Sequence, residues 1–335
     1  MRKLSVIIPC YDEEAVVAPM HARLAAVFCK APYPVELIFI DDGSSDRTLS
    51  SLKEMATADS SMRIIRLSRN FGHQAAVAAG LRYCTGTEAA VIDADLQDPP
   101  EEIPRMLELM DRECCNVAYG QRTQRRGEGI LKRLTAGGFY KVLNSLSDVK
   151  FPLDTGDFRV MDRKVIDVFN SMPERNKYIR GLVGWIGFKQ LPHKYARDPR
   201  FAGRTKYTTA RMLKLAADGL FSFSRKPLRL VVRMGLLSVF VALALTAWAI
   251  ARRLFWDMAT IPGWTSTVAI VLFLGGVQLL STGILGEYIG SIFDESKRRP
   301  EYVVEELVNM DPCQQPRAAG ATSETGESLD AQDPR

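Results

Sequence analysis

Asp93 and Asp95, in the run Ala90-Val91-Ile92-Asp93-Ala94-Asp95-Leu96-Gln97-Asp98, are the residues whose types and spacing speak most directly of chemistry. They fall where an apolar run that reads as a buried strand, Ala89 to Ile92, gives way to a polar loop stopped by Pro99 and Pro100. Ligands of open α/β sheets gather beyond the carboxyl ends of the strands. Two carboxylates placed there face a crevice and can hold a hard divalent cation against phosphate oxygens. The plainer alternative is a loop that caps the next helix. Two more acidic loops follow predicted strands on the same edge, Pro9-Cys10-Tyr11-Asp12-Glu13-Glu14 and Asp41-Asp42-Gly43-Ser44-Ser45-Asp46. Converging acids repel one another unless a cation or hydrogen-bond donors neutralise them. A nucleotide supplies donors through its ribose and base, while its diphosphate recruits a metal. The chain carries no Gly-rich phosphate loop of the Walker or dinucleotide type, so phosphate handling falls to Mg²⁺ or Mn²⁺ on Asp93 and Asp95.

The elements that must position these acids alternate along the first half. Strands are predicted at Leu4 to Pro9, Val35 to Asp41, Arg63 to Leu67, Ala89 to Asp93 and Asn116 to Tyr119. Helices are predicted near Ala15 to Phe28, Thr48 to Ala58, Gln74 to Cys84 and Ile103 to Arg112. Such alternation specifies an α/β fold with a mostly parallel, doubly wound sheet covered on both faces. Asp46 before Thr48, and Pro99-Pro100-Glu101-Glu102, are helix-start signals.

The chain has 335 residues, 47% of them apolar, and the apolar residues are unevenly spread. Met234 to Ala251 and Trp264 to Gly286 are nearly unbroken apolar runs, each near the ~20 residues that cross a ~30 Å hydrocarbon layer as a helix. A buried core hairpin is the alternative. Arg225, Lys226, Arg229 and Arg233 precede the first run, and Lys297, Arg298 and Arg299 follow the second. Basic flanks of this kind place both termini on the cytoplasmic side. The expected organisation is a soluble domain over 1–206, an amphipathic juxtamembrane helix over 207–229, spans at 230–251 and 264–286 around a short loop at 252–263, a cytoplasmic segment at 287–310 and a disordered tail at 311–335. A further basic amphipathic stretch, 130–146, can pack on the sheet or lie in the membrane surface. Six cysteines without Cys-x-x-Cys spacing read as reduced thiols. The net charge of +5 gathers near the spans, which suits anionic lipid rather than nucleic acid. His21, His73 and His193 stand isolated in sequence, and Trp185 and Phe188 read as core.

Several motifs in fixed order carry a resemblance. Val6-Ile7-Ile8-Pro9-Cys10-Tyr11-Asp12-Glu13-Glu14, Ile40-Asp41-Asp42-Gly43-Ser44, Arg69-Asn70-Phe71-Gly72 and Asp93 to Pro100 resemble glycosyltransferase family 2, the inverting type with a single GT-A-like nucleotide-sugar domain. Asp154-Thr155-Gly156-Asp157-Phe158-Arg159, Lys177-Tyr178-Ile179-Arg180-Gly181 and Gly203-Arg204-Thr205-Lys206-Tyr207 are similar to the branch that glycosylates polyprenyl phosphates, whose bacterial members act at the inner membrane. The resemblance covers about Leu4 to Glu306. It implies that Pro9, Tyr11, Glu13, Asp41, Asp42, Asp93, Ala94 and Asp95 bind a UDP-sugar. Asp93, Asp95 and Gln97 would serve the metal. Asp157 would be the catalytic base, and Arg122, Lys132, Arg133 and Arg200 would bind the lipid phosphate. Two departures stand out: Asp12 replaces the usual asparagine, and Ala136 replaces a serine of the lipid-phosphate segment.

Elementary chemistry qualifies one of these roles. A phosphate monoester has a second pKa of about 6, so the acceptor is already largely dianionic at neutral pH and scarcely needs a base. Its difficulty is the approach of two anions, which calls for arginines and a metal. Asp157 is therefore expected to orient sugar or acceptor; the alternative is a structural acid paired with Arg159. The resulting expectation is transfer of a hexose, glucose first, from a UDP-sugar to undecaprenyl phosphate. A processive polysaccharide synthase and a non-catalytic nucleotide-sugar scaffold are the competing readings. The sugar's identity and the oligomeric state, a homo-oligomer included, stay open.

Overall fold

The structure, a computed structural model, describes residues 2–123, 155–175, 177–198, 226–256 and 263–310. Within them one sheet holds β1 (Leu4–Cys10), β2 (Val35–Asp41), β3 (Met62–Leu67), β4 (Glu88–Val91), β5 (Val117–Arg122), β6 (Thr155–Asp162), β7 (Gln190–Tyr195) and β8 (Val304–Val308). Their spatial order is β7-β5-β6-β4-β1-β2-β3-β8. The pairs β1·β2, β1·β4, β2·β3 and β5·β7 are parallel. The sheet is nevertheless mixed, because β6 runs against both β4 and β5, and β8 against β3.

Successive strand residues point to opposite faces, so each central strand feeds two cores. Leu4, Val6, Ile8 and Phe39 pack with Val17, Met20 and Leu24 of α1 (Glu14–Phe28), with Leu52 of α2 (Thr48–Ala58) and with Ile103, Met106 and Leu107 of α4 (Glu102–Glu113). Ile7, Ile38 and Ile40 face Ala76, Val77 and Ala79 of α3 (His73–Tyr83), together with α5 (Arg163–Ser171) and α6 (Ile179–Ile186). α3 lies very close to the sheet. A Cβ on its Gly80 would stand 2.4 Å from Ile7 Cγ2, inside any tolerable contact. Trp185, expected in the core, is instead 65% exposed on α6, whereas Phe188 packs against the core. The described cysteines are all free thiols.

Two long helices follow, α7 (Lys226–Trp256) and α8 (Trp264–Ser296), and they contact each other. Among the described residues, no helix is long and apolar enough to cross a membrane. After α8 the chain returns to the same sheet as β8, with Ile65 opposite Leu307 and Arg66 opposite Glu306. Lys53 to Glu306 at 2.7 Å and Arg66 to Glu305 at 3.0 Å flank this strand. Asn309 Nδ2 donates to the carbonyls of Ala56 and Met62. Sequence reading gave 287–310 no such pairing. The expected helix at 130–146, residues 207–225 of the juxtamembrane helix, the loop at 257–262 and the tail at 311–335 lie outside the described residues. So do Lys132, Arg133, Ala136 and Arg200.

Candidate active site

Parallel pairing brings the carboxyl ends of β1, β2 and β4 to one edge, with Cys10 opposite Asp41 and Ile7 opposite Val91. Asp12 there takes a left-handed φ of 50°, which short polar side chains tolerate, and its carboxylate accepts from the Ser45 amide at 2.8 Å. Its own amide donates to Ser44 Oγ at 3.0 Å, so the residue that departs from the family's asparagine ties two rim loops together. Gly43 is required by its φ of 67° and by the Arg69 backbone, which a Cβ would approach to 2.5 Å. Asp41 is fully buried; the Ser44 amide donates to its Oδ1, and its Oδ2 has no hydrogen-bond partner. Burial raises the Asp41 pKa. Asp42 is different. Its two oxygens accept from the Phe71 and Gly72 amides at 2.7 and 2.9 Å, fixing the turn that starts α3. Pro9 and Ala94 are buried with the core, and Tyr11 is 37% exposed at the rim.

The loop after β4 carries Asp93, Asp95, Gln97 and Asp98. Leu96, 6% exposed, holds a left-handed φ of 58° that costs a branched side chain energy and is sustained by its burial. The Gln97 amide donates to Asp95 Oδ1 at 3.1 Å. Burial and the charges of Asp157, Asp98 and Asp95 raise Asp93 to about 6, against the lowering pull of His73. Asp93 Oδ1 has no hydrogen-bond partner. Among the described residues no group of three His, Cys, Asp or Glu side chains forms a metal cage. A divalent ion nonetheless fits: Mg²⁺-type sites use one or two carboxylates and take further oxygens from substrate phosphates. Asp93 Oδ1 faces the cation of His73 at 3.5 Å against three neighbouring carboxylates, which leaves room for a further positive charge.

Asp157, on β6, is the most heavily engaged acid of the crevice and only 4% exposed. Arg180, in the first turn of α6, donates Nε to Oδ1 at 2.7 Å and Nη2 to Oδ2 at 3.1 Å. Gln74 Nε2 donates to Oδ2 at 3.2 Å, while Gln74 Oε1 accepts the Ile179 amide at 3.0 Å. His73 Nε2 lies 3.2 Å from Asp157 Oδ2 and 3.5 Å from Asp93 Oδ1. Burial would raise Asp157, but Arg180 and His73 overcome it and hold the carboxyl well below its usual range. Burial would likewise lower His73, yet Asp157 and Asp93 raise it to about 9. Arg159 stays 4.0 Å from the Asp157 carboxylate and donates to the Asp157 and Gly156 carbonyls instead. Pairing of Asp157 with Arg159 therefore gives way to pairing with Arg180.

Asp95, Asp98 and Asp157 all lie close enough to Asp93 for their charges to act on it. Arg122 lies 3.9 Å from the fully buried Asp98. Arg197 approaches more closely, 3.3 Å from Asp98 and 3.7 Å from Asp95, and Tyr195 Oη donates to Asp98 at 2.5 Å. Sequence reasoning missed His73, Gln74, Tyr195 and Arg197. His73 and Gln74 directly follow the Arg69-Asn70-Phe71-Gly72 motif, which was the available signal. None of the histidines is isolated: His21 pairs with Asp59 and His193 with Glu102.

A mixed α/β sheet with acids gathered at the carboxyl ends of its parallel strands fits a GT-A-like domain. The chain belongs to glycosyltransferase family 2 and is a glycosyltransferase. Residues 5–169 match glycosyl transferase family 2, and 226–292 match the GtrB C-terminal hairpin. An uncharacterized glycosyltransferase of Bacillus subtilis, YkcC, is 45% identical over 92% of this chain and 94% of its own length. A prophage bactoprenol glucosyl transferase homolog of Escherichia coli is 37% identical over 91% and 99%. The bactoprenol glucosyl transferase of Shigella phage SfV is 37% identical over 90% and 98%. A mannosyltransferase of Pyrobaculum calidifontis, solved with GDP-Man and Mn²⁺, is 14% identical over 88% and 87%, with a TM-score of 0.47.

Proposed function

We propose that the crevice transfers a hexose, glucose first among candidates, from a UDP-sugar to undecaprenyl phosphate at the cytoplasmic face of a bacterial inner membrane. One observation carries this reading: Asp157, the acid expected at the acceptor, is locked as an anion by Arg180, Gln74 and His73 beside the Asp93–Asp95 pair. A carboxylate so held is a poor proton acceptor, which suits an acceptor that arrives already ionised. An alcohol acceptor would need a general base, and Asp157, held by Arg180 and His73, is a poor one. The glucosyl and polyprenyl parts draw support from the names of the Escherichia coli and Shigella phage relatives, and UDP rests on the family resemblance.

In the transfer, a phosphate oxygen of the acceptor forms a bond to C1 of the sugar as the bond from C1 to the diphosphate breaks. Attack from the opposite side inverts the anomeric centre, and UDP departs with the electron pair. A divalent ion, Mg²⁺ or Mn²⁺ on Asp93 and Asp95 with Gln97 beside them, would neutralise the diphosphate charge. Asp157 and Arg180 together fix the sugar's approach, and Arg122 and Arg197 give the acceptor phosphate a cationic flank.

The apolar runs of α7 and α8 are proposed as the membrane spans, although among the described residues alone neither helix is long and apolar enough to cross a membrane. At 31 and 33 residues they extend about 46 and 50 Å. Leu236, Phe240 and Leu279 are 66%, 70% and 75% exposed, which an aqueous surface would not favour. The basic flanks keep both ends cytoplasmic. The test is incubation of membranes containing the protein with a panel of labelled nucleotide-sugars, followed by lipid extraction. Label from UDP-glucose in the lipid fraction is expected; lipid left unlabelled by every donor would refute the transfer.

A further inference from the structure

The end of α8 and the chain beyond it are tied to the catalytic domain at places besides the β8 pairing. Glu295, in the last turn of α8, accepts the Arg175 amide at 3.1 and 3.3 Å, and Arg175 Nη1 donates to the Asp294 carbonyl. Beyond the helix end, Glu301 lies 4.0 Å from Lys177, with their side chains 15% and 12% exposed. Lys177 Nζ also sits 5.1 Å over the ring of Phe169, part of the core under α6. The next residues are those that build the acid site: the Ile179 amide binds Gln74, and Arg180 binds Asp157. Burying two ionisable side chains this far is costly, and nothing in the transfer chemistry itself uses them.

We propose that Lys177 and Glu301 are positioning residues: the returning chain holds Lys177 through Glu301 and so sets where Arg180 and Gln74 grip Asp157. The membrane hairpin and the acid site are then one mechanical unit. β8 fixes the returning chain in the sheet, Glu301 fixes the segment before α6, and that segment places Arg180. This inference rests on the reading of the crevice as the transfer site.

The test uses the full chain in lipid nanodiscs with UDP-glucose and undecaprenyl phosphate. K177M and E301A should each lower kcat about tenfold while the donor KM stays within about twofold, and E301Q, which keeps the shape and polarity, should restore most of the loss. A readout independent of turnover is the Arg180 Nε–H resonance in arginine-labelled protein, assigned with R180K; K177M should shift it. Wild-type kcat in both K177M and E301A, E301Q no better than E301A, or an unmoved Arg180 resonance would overturn the proposal. Failure of the wild type itself to transfer would instead sink the reading of the crevice, and the resonance would still judge the positioning.

Discussion

Arg180→Met is the perturbation that probes the acid site most sharply. It keeps the aliphatic stem and removes the guanidinium, deleting hydrogen bonds of 2.7 and 3.1 Å to a carboxylate whose side chain is 5% exposed. Hydrogen bonds to charged groups contribute about 1.5–3 kcal/mol each, and stripping one partner from a buried pair costs about 3–5 kcal/mol. Gln74 and His73 still hold Asp157, and Arg180 is 30% exposed, so the low end applies, about 3 kcal/mol. With about 2–4 °C per kcal/mol in a domain of this size, the thermal midpoint should fall by about 6–12 °C near neutral pH. The sign with pH follows from the depressed Asp157 pKa. Its contribution is present above the ordinary carboxylate value of about 3.9 and is lost as pH falls through the lower folded value. The wild-type advantage should therefore be constant from about pH 5 to 8 and shrink toward strong acid. Tryptophan fluorescence during heating, in nanodiscs at several pH values, reads this directly. A midpoint unchanged at neutral pH, or a difference that widens on acidification, would refute the ionised, arginine-held Asp157.

Asp157→Asn should retain donor binding and leave measurable turnover at pH 8, reduced about 10²-fold by lost positioning. Complete loss of turnover at pH 8 with intact donor binding would mean that a base is needed after all. Asp93 is raised to about 6, so it must shed a proton to bind a cation, and Mn²⁺ affinity in the presence of UDP should climb from pH 5 to 7 and then level. A calorimetric affinity independent of pH over that range would remove Asp93 from the metal site. Burial raises Glu301 to about 8, so the folded chain keeps a proton that the unfolded chain has released. Stability from this group falls as pH rises from its ordinary value of about 4.5 through the folded one, and Glu301→Gln should gain in midpoint over wild type between pH 6 and 9. A parallel pH dependence of the two midpoints would contradict that.

The half of the sheet built from strand–helix alternation was legible because each element carries its own periodicity and its own turn signals. β6 and β8 were not, since antiparallel insertion between β4 and β5, or addition beside β3, depends on partners far away in sequence. Asp41, Asp42, Asp93 and Asp95 were marked for the same local reason, lying where apolar strands stop, whereas Asp157, inside β6, was marked only by the family resemblance. Their partners were not. Arg159 is the sequence neighbour of Asp157, yet its guanidinium reaches backbone carbonyls, while Arg180 arrives from another helix. His73 looked isolated because the two carboxylates beside it come from β6 and the loop after β4. Arg122 was expected at a lipid phosphate from the family pattern, and the buried Asp98 beside it had no local mark in the sequence.

The most direct test of the central claim is UDP release by the purified chain in nanodiscs, from UDP-glucose, with and without undecaprenyl phosphate. The account predicts release that requires both the lipid phosphate and Mg²⁺ or Mn²⁺, and that Asp93→Asn abolishes. Release at the same rate without the lipid, or no release with it, would contradict the assignment of this crevice to sugar transfer onto a membrane-borne phosphate.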